Sequence, residues 1–210
     1  MITAQEALDR LRKGNQRFVS GTQNGEALTC QIRRTALTER QDPFAIILGC
    51  SDSRVPAEIV FDQGLGDLFV IRVAGNIVAP SQIGSVEYAV ELSGTPLVIV
   101  LGHSNCGAIL ATLDELERPQ ENRSPNLYSI VNRVRPSVEP LLETNLRDDR
   151  DNLVKQAVRA NIRASANHLR HGSQLLEQHI EKGDLLVVGA EYSLETGVVE
   201  FFDGLPATSH

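Results

Sequence analysis

Apolar residues along the chain follow two patterns: short uninterrupted runs and longer stretches with helical spacing. The runs cover residues 44–49, 68–73, 97–102, 185–189 and 198–202. Runs of this length, bounded by Gly, Pro or polar residues, predict strands, and the unbroken ones predict burial on both faces. At the N-terminus, Thr3-Ala4-Gln5-Glu6 has the form of a capping box. Ala7, Leu8, Leu11 and Phe18 then share a face, so an amphipathic helix is expected up to about Ser20. Residues 21–25 read as a loop, and a second helix over 32–40 is stopped by Asp42-Pro43. Pro56 suits the first turn of a short helix over 57–61. Gly64-Leu65-Gly66-Asp67 and Ala74-Gly75-Asn76 read as turns. Further helices are expected over 81–92, closed by Gly94, and from Gly107 to about Glu117. Residues 122–125 read as a loop, and Pro136 and Pro140 interrupt the pattern that follows. Residues 152–181 read as one long helix ended by Gly183. The short Glu195-Thr196-Gly197 turn makes the last two strands an antiparallel pair. The expected fold is α/β: about four parallel strands plus an antiparallel C-terminal edge strand, flanked by helices. Helices that precede the first strand must dock on something, and a partner subunit is one candidate.

Composition narrows the class without changing this picture. The chain has 210 residues, enough for a single domain (1–210), with residues 1–42 as an N-terminal helical arm. A net charge of -7 argues against nucleic acid as a partner, since such surfaces carry a basic stripe. There is no apolar run of bilayer length and no signal-peptide pattern at the start, so no membrane association is expected and the cytoplasm is the expected location. Three cysteines are too few for a disulfide framework. Cys30 reads as a lone, partly buried helix residue. Gly64-Leu65-Gly66 precedes a strand rather than a helix, so dinucleotide binding is not supported.

The chemistry lies where two strands end. Cys50-Ser51-Asp52-Ser53-Arg54 follows the first run, and His103-Ser104-Asn105-Cys106-Gly107 follows the third. Ligands in open α/β sheets bind at the carboxyl ends of strands. His103 and Cys106 have the i, i+3 spacing of a ligand pair, and Cys50 lies 53 residues before His103. Two thiolates and an imidazole suit zinc and leave its fourth position open, as in catalytic sites. The alternative is two buried structural thiols. Asp52 and Arg54 sit at the rim, where a guanidinium keeps a carboxylate ionised and able to orient a nucleophilic water. The plainer reading of that pair is a surface ion pair worth almost nothing. His168, His171 and His179 read as solvent-facing side chains on a polar-flanked helix.

These two motifs, with Arg72-Val73-Ala74-Gly75-Asn76 and Glu87-Tyr88-Ala89-Val90 between them, resemble the β-class carbonic anhydrases in order and spacing from about Gln41 to Ala108. The resemblance implies a zinc enzyme interconverting carbon dioxide and bicarbonate, with one zinc per subunit. It implies Cys50, His103 and Cys106 as metal ligands and Asp52 and Arg54 as the catalytic dyad, with Asp52 as the fourth ligand in a closed state. Gln41, Phe69, Tyr88 and the N–H of Gly107 match substrate-binding positions of the plant-like branch. The family's dimers place their sites at the subunit interface and often pair further, so a homodimer or homotetramer is implied. A second branch binds inhibitory bicarbonate through a Trp three residues before the first cysteine. Ile47 stands there in this chain, so that site is expected to be missing or weak. No histidine is placed to relay a proton, and the shuttle is unassigned.

Two rival functions use the same residues. The scaffold suits hydrolysis of carbon disulfide or carbonyl sulfide, with pocket access deciding the substrate. A non-enzymatic zinc protein is the other, against which stand the dyad and the three-ligand set. A zinc nucleobase deaminase would need Glu two residues after the His, where this chain has Asn105.

Overall fold

The computed structural model describes residues 2–23, 34–35, 37–118 and 124–206. Five strands form one sheet: β1 (Ala45–Gly49), β2 (Leu68–Arg72), β3 (Leu97–His103), β4 (Leu186–Tyr192) and β5 (Val199–Asp203). Their spatial order is β2-β1-β3-β4-β5. The first four are parallel, and β5 runs antiparallel to β4, as the short turn before it required. Every residue of β1 and β3 is buried, which explains why both read as unbroken apolar runs.

Alternation along these strands separates two cores. Ile46, Leu48, Val98 and Val100 face α3 (Pro80–Ser93), α4 (Gly107–Glu117), α5 (Pro125–Val138), α6 (Arg150–His171) and α7 (Gln174–Glu181). Ile47, Ile99 and Leu101 face α1 (Ala4–Ser20) and α2 (Ala57–Val60). The capping box opens α1 as expected, with the Thr3 N–H donating to Glu6 and the Glu6 N–H to Thr3.

α1 docks on its own chain. Leu8 and Leu11 are fully buried against the sheet, and Asn15 behaves as an extra peptide group. Its Nδ2 donates to the carbonyls of Val60 and Gly197, while its Oδ1 accepts the Val199 N–H at 2.8 Å. Residues 24–33, with Cys30 and the start of the expected second helix, lie outside the described residues. Arg34 and Thr35 are helical, but Leu37 to Glu39 form turn and bend, so the helical reading fails over that part.

The long helix expected over 152–181 is two helices, α6 and α7. A Cβ at Gly172 would fall 2.4 Å from the His168 carbonyl oxygen, so the chain turns there closely against the end of α6. Ser173 is extended, and its Oγ accepts the Leu176 N–H and donates to Glu87 Oε1 at 2.6 Å. Leu169 and Leu176 are both fully buried, so the apolar spacing carries across the break and hides it. β4 also runs three residues past its expected end, to Tyr192, because β5 pairs with it there. His179 departs from the solvent-facing reading. It is half-buried, with Nε2 3.1 Å from Glu91 and Nδ1 3.9 Å from Asp184, and so ties α7 to α3.

α6 lies close over the sheet at one point. Cβ atoms at Gly102 on β3 and Gly189 on β4 would fall 2.5 and 2.9 Å from the Ile162 side chain. Neither strand has room for a larger residue there.

Candidate metal centre

The strand order reverses at β1, whose neighbours β2 and β3 lie on opposite sides and follow it in sequence. Such a switch point opens a crevice beyond the carboxyl ends of β1 and β3. Cys50 is the residue after β1, and His103 is the last residue of β3. Asn105 holds a left-handed φ of 53°, a conformation Asn tolerates, and this turn brings Cys106 back to the start of α4. The donor atoms of Cys50, His103 and Cys106 all lie within 4.8 Å of one another, and all three residues are buried.

His103 is fully buried, and its Nδ1 lies 2.9 Å from the Ser104 carbonyl oxygen. A carbonyl only accepts, so Nδ1 carries the proton and Nε2 presents its lone pair. That Nε2 has no hydrogen-bond partner. A buried orphan acceptor facing two thiols fits a soft, tetrahedral metal ion. The two thiols shift in opposite directions because one donates to the other. Cys50 is pushed down, first by the hydrogen bond from Cys106 and then, against its burial, by the Gly75 N–H. Cys106 is pushed up, first because it donates to Cys50 and then by burial, with the N–H groups of Ile109 and Ala108 pulling the other way.

Asp52 and Arg54 are paired as their spacing suggested. Arg54 Nε and Nη2 donate to the two carboxylate oxygens at 2.9 and 2.7 Å, and the Arg54 N–H adds a third bond at 3.0 Å. The Arg54 side chain chiefly holds the Asp52 carboxyl well below the usual carboxylate range, so it is ionised at all working pH. Asp52 Oδ2 stands 3.8 Å from His103 Nε2, beside the three-donor cluster and bound away from it by Arg54.

Phe69 on β2 and Tyr88 on α3 come together, with ring centroids 6.1 Å apart and Tyr88 half exposed. Gly107 opens α4 with free space where a Cβ would stand. Gln41 is exposed just before β1. Reading side chains by type missed an outer layer that works through the main chain. Arg72 ends β2 and donates from Nε to the Cys50 carbonyl at 3.0 Å and from Nη2 to the Asp52 carbonyl. The Gly75 N–H donates to Cys50 Sγ at 3.4 Å. Ser104 is pinned to the β4–β5 hairpin by bonds with Tyr192 and Leu194. The stretch Arg72 to Asn76 stands out in the sequence for the resemblance it carries, but no residue type in it announces these main-chain contacts.

The family model described as "Carbonic anhydrase" matches residues 45–199, from the first residue of β1 to the first of β5. The chain belongs to the β-carbonic anhydrase family. A carbonic anhydrase of Mycolicibacterium smegmatis is 40% identical over 190 residues, covering 90% of this chain and 89% of its own. One from Synechocystis is 30% identical, with 94% of this chain and 72% of that protein covered. The solved structure of the β-carbonic anhydrase CcaA superposes with a TM-score of 0.75 at 28% identity, covering 96% of this chain and 94% of that one. Two tetrameric β-carbonic anhydrases from Sordaria macrospora share the fold, with a TM-score of 0.71 at 22% identity and 94% and 95% of the two chains covered. As a member of this family the chain is a carbonic anhydrase, a lyase acting on carbon dioxide and bicarbonate.

Proposed function

We propose that the chain hydrates carbon dioxide reversibly at a zinc ion, one per subunit, held by Cys50 Sγ, His103 Nε2 and Cys106 Sγ. The observation that carries this is the fully buried, unpartnered Nε2 of His103 within 4.8 Å of two thiols. Zinc at such a site supplies Lewis acidity that makes water nucleophilic near neutral pH. The protein's own part is orientation. Asp52, ionised and fixed by three bonds from Arg54, accepts a hydrogen bond from a proton-bearing oxygen at the rim and so aims that oxygen's lone pair. Arg54 is a positioning residue for Asp52, and its grip also restrains Asp52 from closing on the metal as a fourth ligand. The N–H of Gly107, at the start of an eleven-residue helix, is suited to an anionic product. Gln41, Phe69 and Tyr88 are proposed to line the substrate pocket.

The assembly is proposed to be a homodimer or a homotetramer; the Sordaria macrospora relatives are tetrameric. Tyr88 and Leu92 on α3, 51% and 68% exposed, are suited to burial by a second subunit. A cytoplasmic location belongs to the same proposal, and cell fractionation tests it.

Metal analysis joined to stopped-flow hydration of carbon dioxide tests the central claim. One zinc per chain and rapid hydration are expected, with slower or no turnover of carbonyl sulfide and carbon disulfide. A zinc-loaded protein inactive on carbon dioxide but active on either sulfur gas would overturn the choice of substrate.

A further inference from the structure

The Gly75 N–H that meets the Cys50 sulfur is itself held from a distance. Gly75 takes a left-handed φ of 71°, which a side chain would make strained. A Cβ there would also fall 3.0 Å from the Ala108 methyl group. Its carbonyl oxygen accepts a bond of 2.8 Å from Nδ2 of Asn161, a buried residue in the middle of α6 and 86 positions away in sequence. Asn161 reaches that carbonyl because Ile162, its neighbour, sits directly on Gly102 and Gly189. With both sides of the Gly75 residue fixed, its N–H is aimed at Sγ.

We propose that Asn161 is a positioning residue that sets the donor strength of the Cys50 thiolate through Gly75. An N–H bond to a thiolate withdraws charge from sulfur and weakens its donation to a bound metal. It also fixes the direction of the sulfur lone pairs. Outer-layer bonds of this kind commonly govern metal affinity or activity by about 10- to 100-fold. A purely structural Asn161 would instead affect only the packing of α6. The inference rests on metal binding by Cys50, His103 and Cys106.

The test uses full-length protein loaded with cobalt(II), whose thiolate-to-metal charge-transfer band reports the electron density on sulfur. Asn161→Ala is expected to move that band to longer wavelength and to change the rate of zinc loss to a chelator by about 10-fold or more. Asn161→Ser, which keeps a shorter donor, should give an intermediate band position. Val158→Ala, one turn earlier on the buried face of α6, should lower the melting temperature while leaving the band and the zinc-loss rate unchanged. A band that stays in place in folded Asn161→Ala or Asn161→Ser protein overturns the proposal. So does a band shifted equally by Val158→Ala. Failure of the wild-type protein to bind either metal would instead remove the metal-site reading beneath it.

Discussion

At the scale of single residues the proposed metal centre divides into groups suited to bind and groups suited to aim. Cys50→Ser is expected to lose both zinc and hydration activity, because one of three donors is replaced by a poor one. Arg54→Ala should keep a full complement of zinc, since the guanidinium touches Asp52 and not the donor atoms. Its hydration rate should fall by about 10- to 100-fold, as expected when an outer partner is removed. Metal content and stopped-flow rates on the same samples separate the two behaviours. An Arg54→Ala protein that loses its zinc would assign that residue to the binding set. The donor cluster was legible in the sequence because Cys and His at strand ends are chemically distinctive. Arg72, Gly75 and Asn161 were not, because each acts on or through a main-chain N–H or carbonyl. Residue type does not announce that role.

At the scale of elements, the joints between helices and sheet are fixed by a few polar groups whose loss is measurable. Ser173 caps α7 and bonds Glu87 on α3. Ser173→Ala should destabilise the fold by about 0.5–2 kcal/mol, the usual range for a lost cap, read as a lower denaturation midpoint. Arg159 on α6 joins Glu191 of β4 and Glu200 of β5, and the two carboxyls respond oppositely to that junction. Arg159 chiefly lowers Glu200 below its ordinary 4.5, so the stability it adds is present above that value and lost as pH falls through the lowered one. Burial chiefly raises Glu191, so its contribution is complete below 4.5 and lost as pH rises through the raised value. Melting temperatures measured across the acid range should therefore flatten at the lower end in Glu200→Gln and at the upper end in Glu191→Gln. Strands were legible at this scale because uninterrupted burial on two faces leaves a continuous apolar run. The α6–α7 break was not, because Leu169 and Leu176 keep the helical spacing across a turn made by main-chain crowding at Gly172.

At the scale of the whole molecule, the order of runs and helices in the sequence was enough to place a parallel sheet with an antiparallel edge. The reversal at β1 was not stated by any pattern, since a run of apolar residues does not name its neighbours. Yet that reversal decides how the protein must assemble. Ile46 pairs with Val98, and this contact, far apart along the chain, is what brings Cys50 to His103 and Cys106. No local fragment owns the donor set, so a metal ion has no complete binding site until the central strands have closed a long loop. Zinc should therefore be a late guest in folding. Refolding from denaturant is expected to proceed at the same rate with and without zinc, while unfolding slows as zinc is raised. The equilibrium gain should reach about 2.7 kcal/mol when free zinc exceeds its dissociation constant 100-fold. Refolding accelerated by zinc would mean that ligand pairs such as His103 and Cys106 capture the ion before the sheet exists. In the expected case, newly made chains acquire their fold first and compete for metal afterwards, so zinc scarcity would leave a pool of folded, inactive enzyme ready for loading.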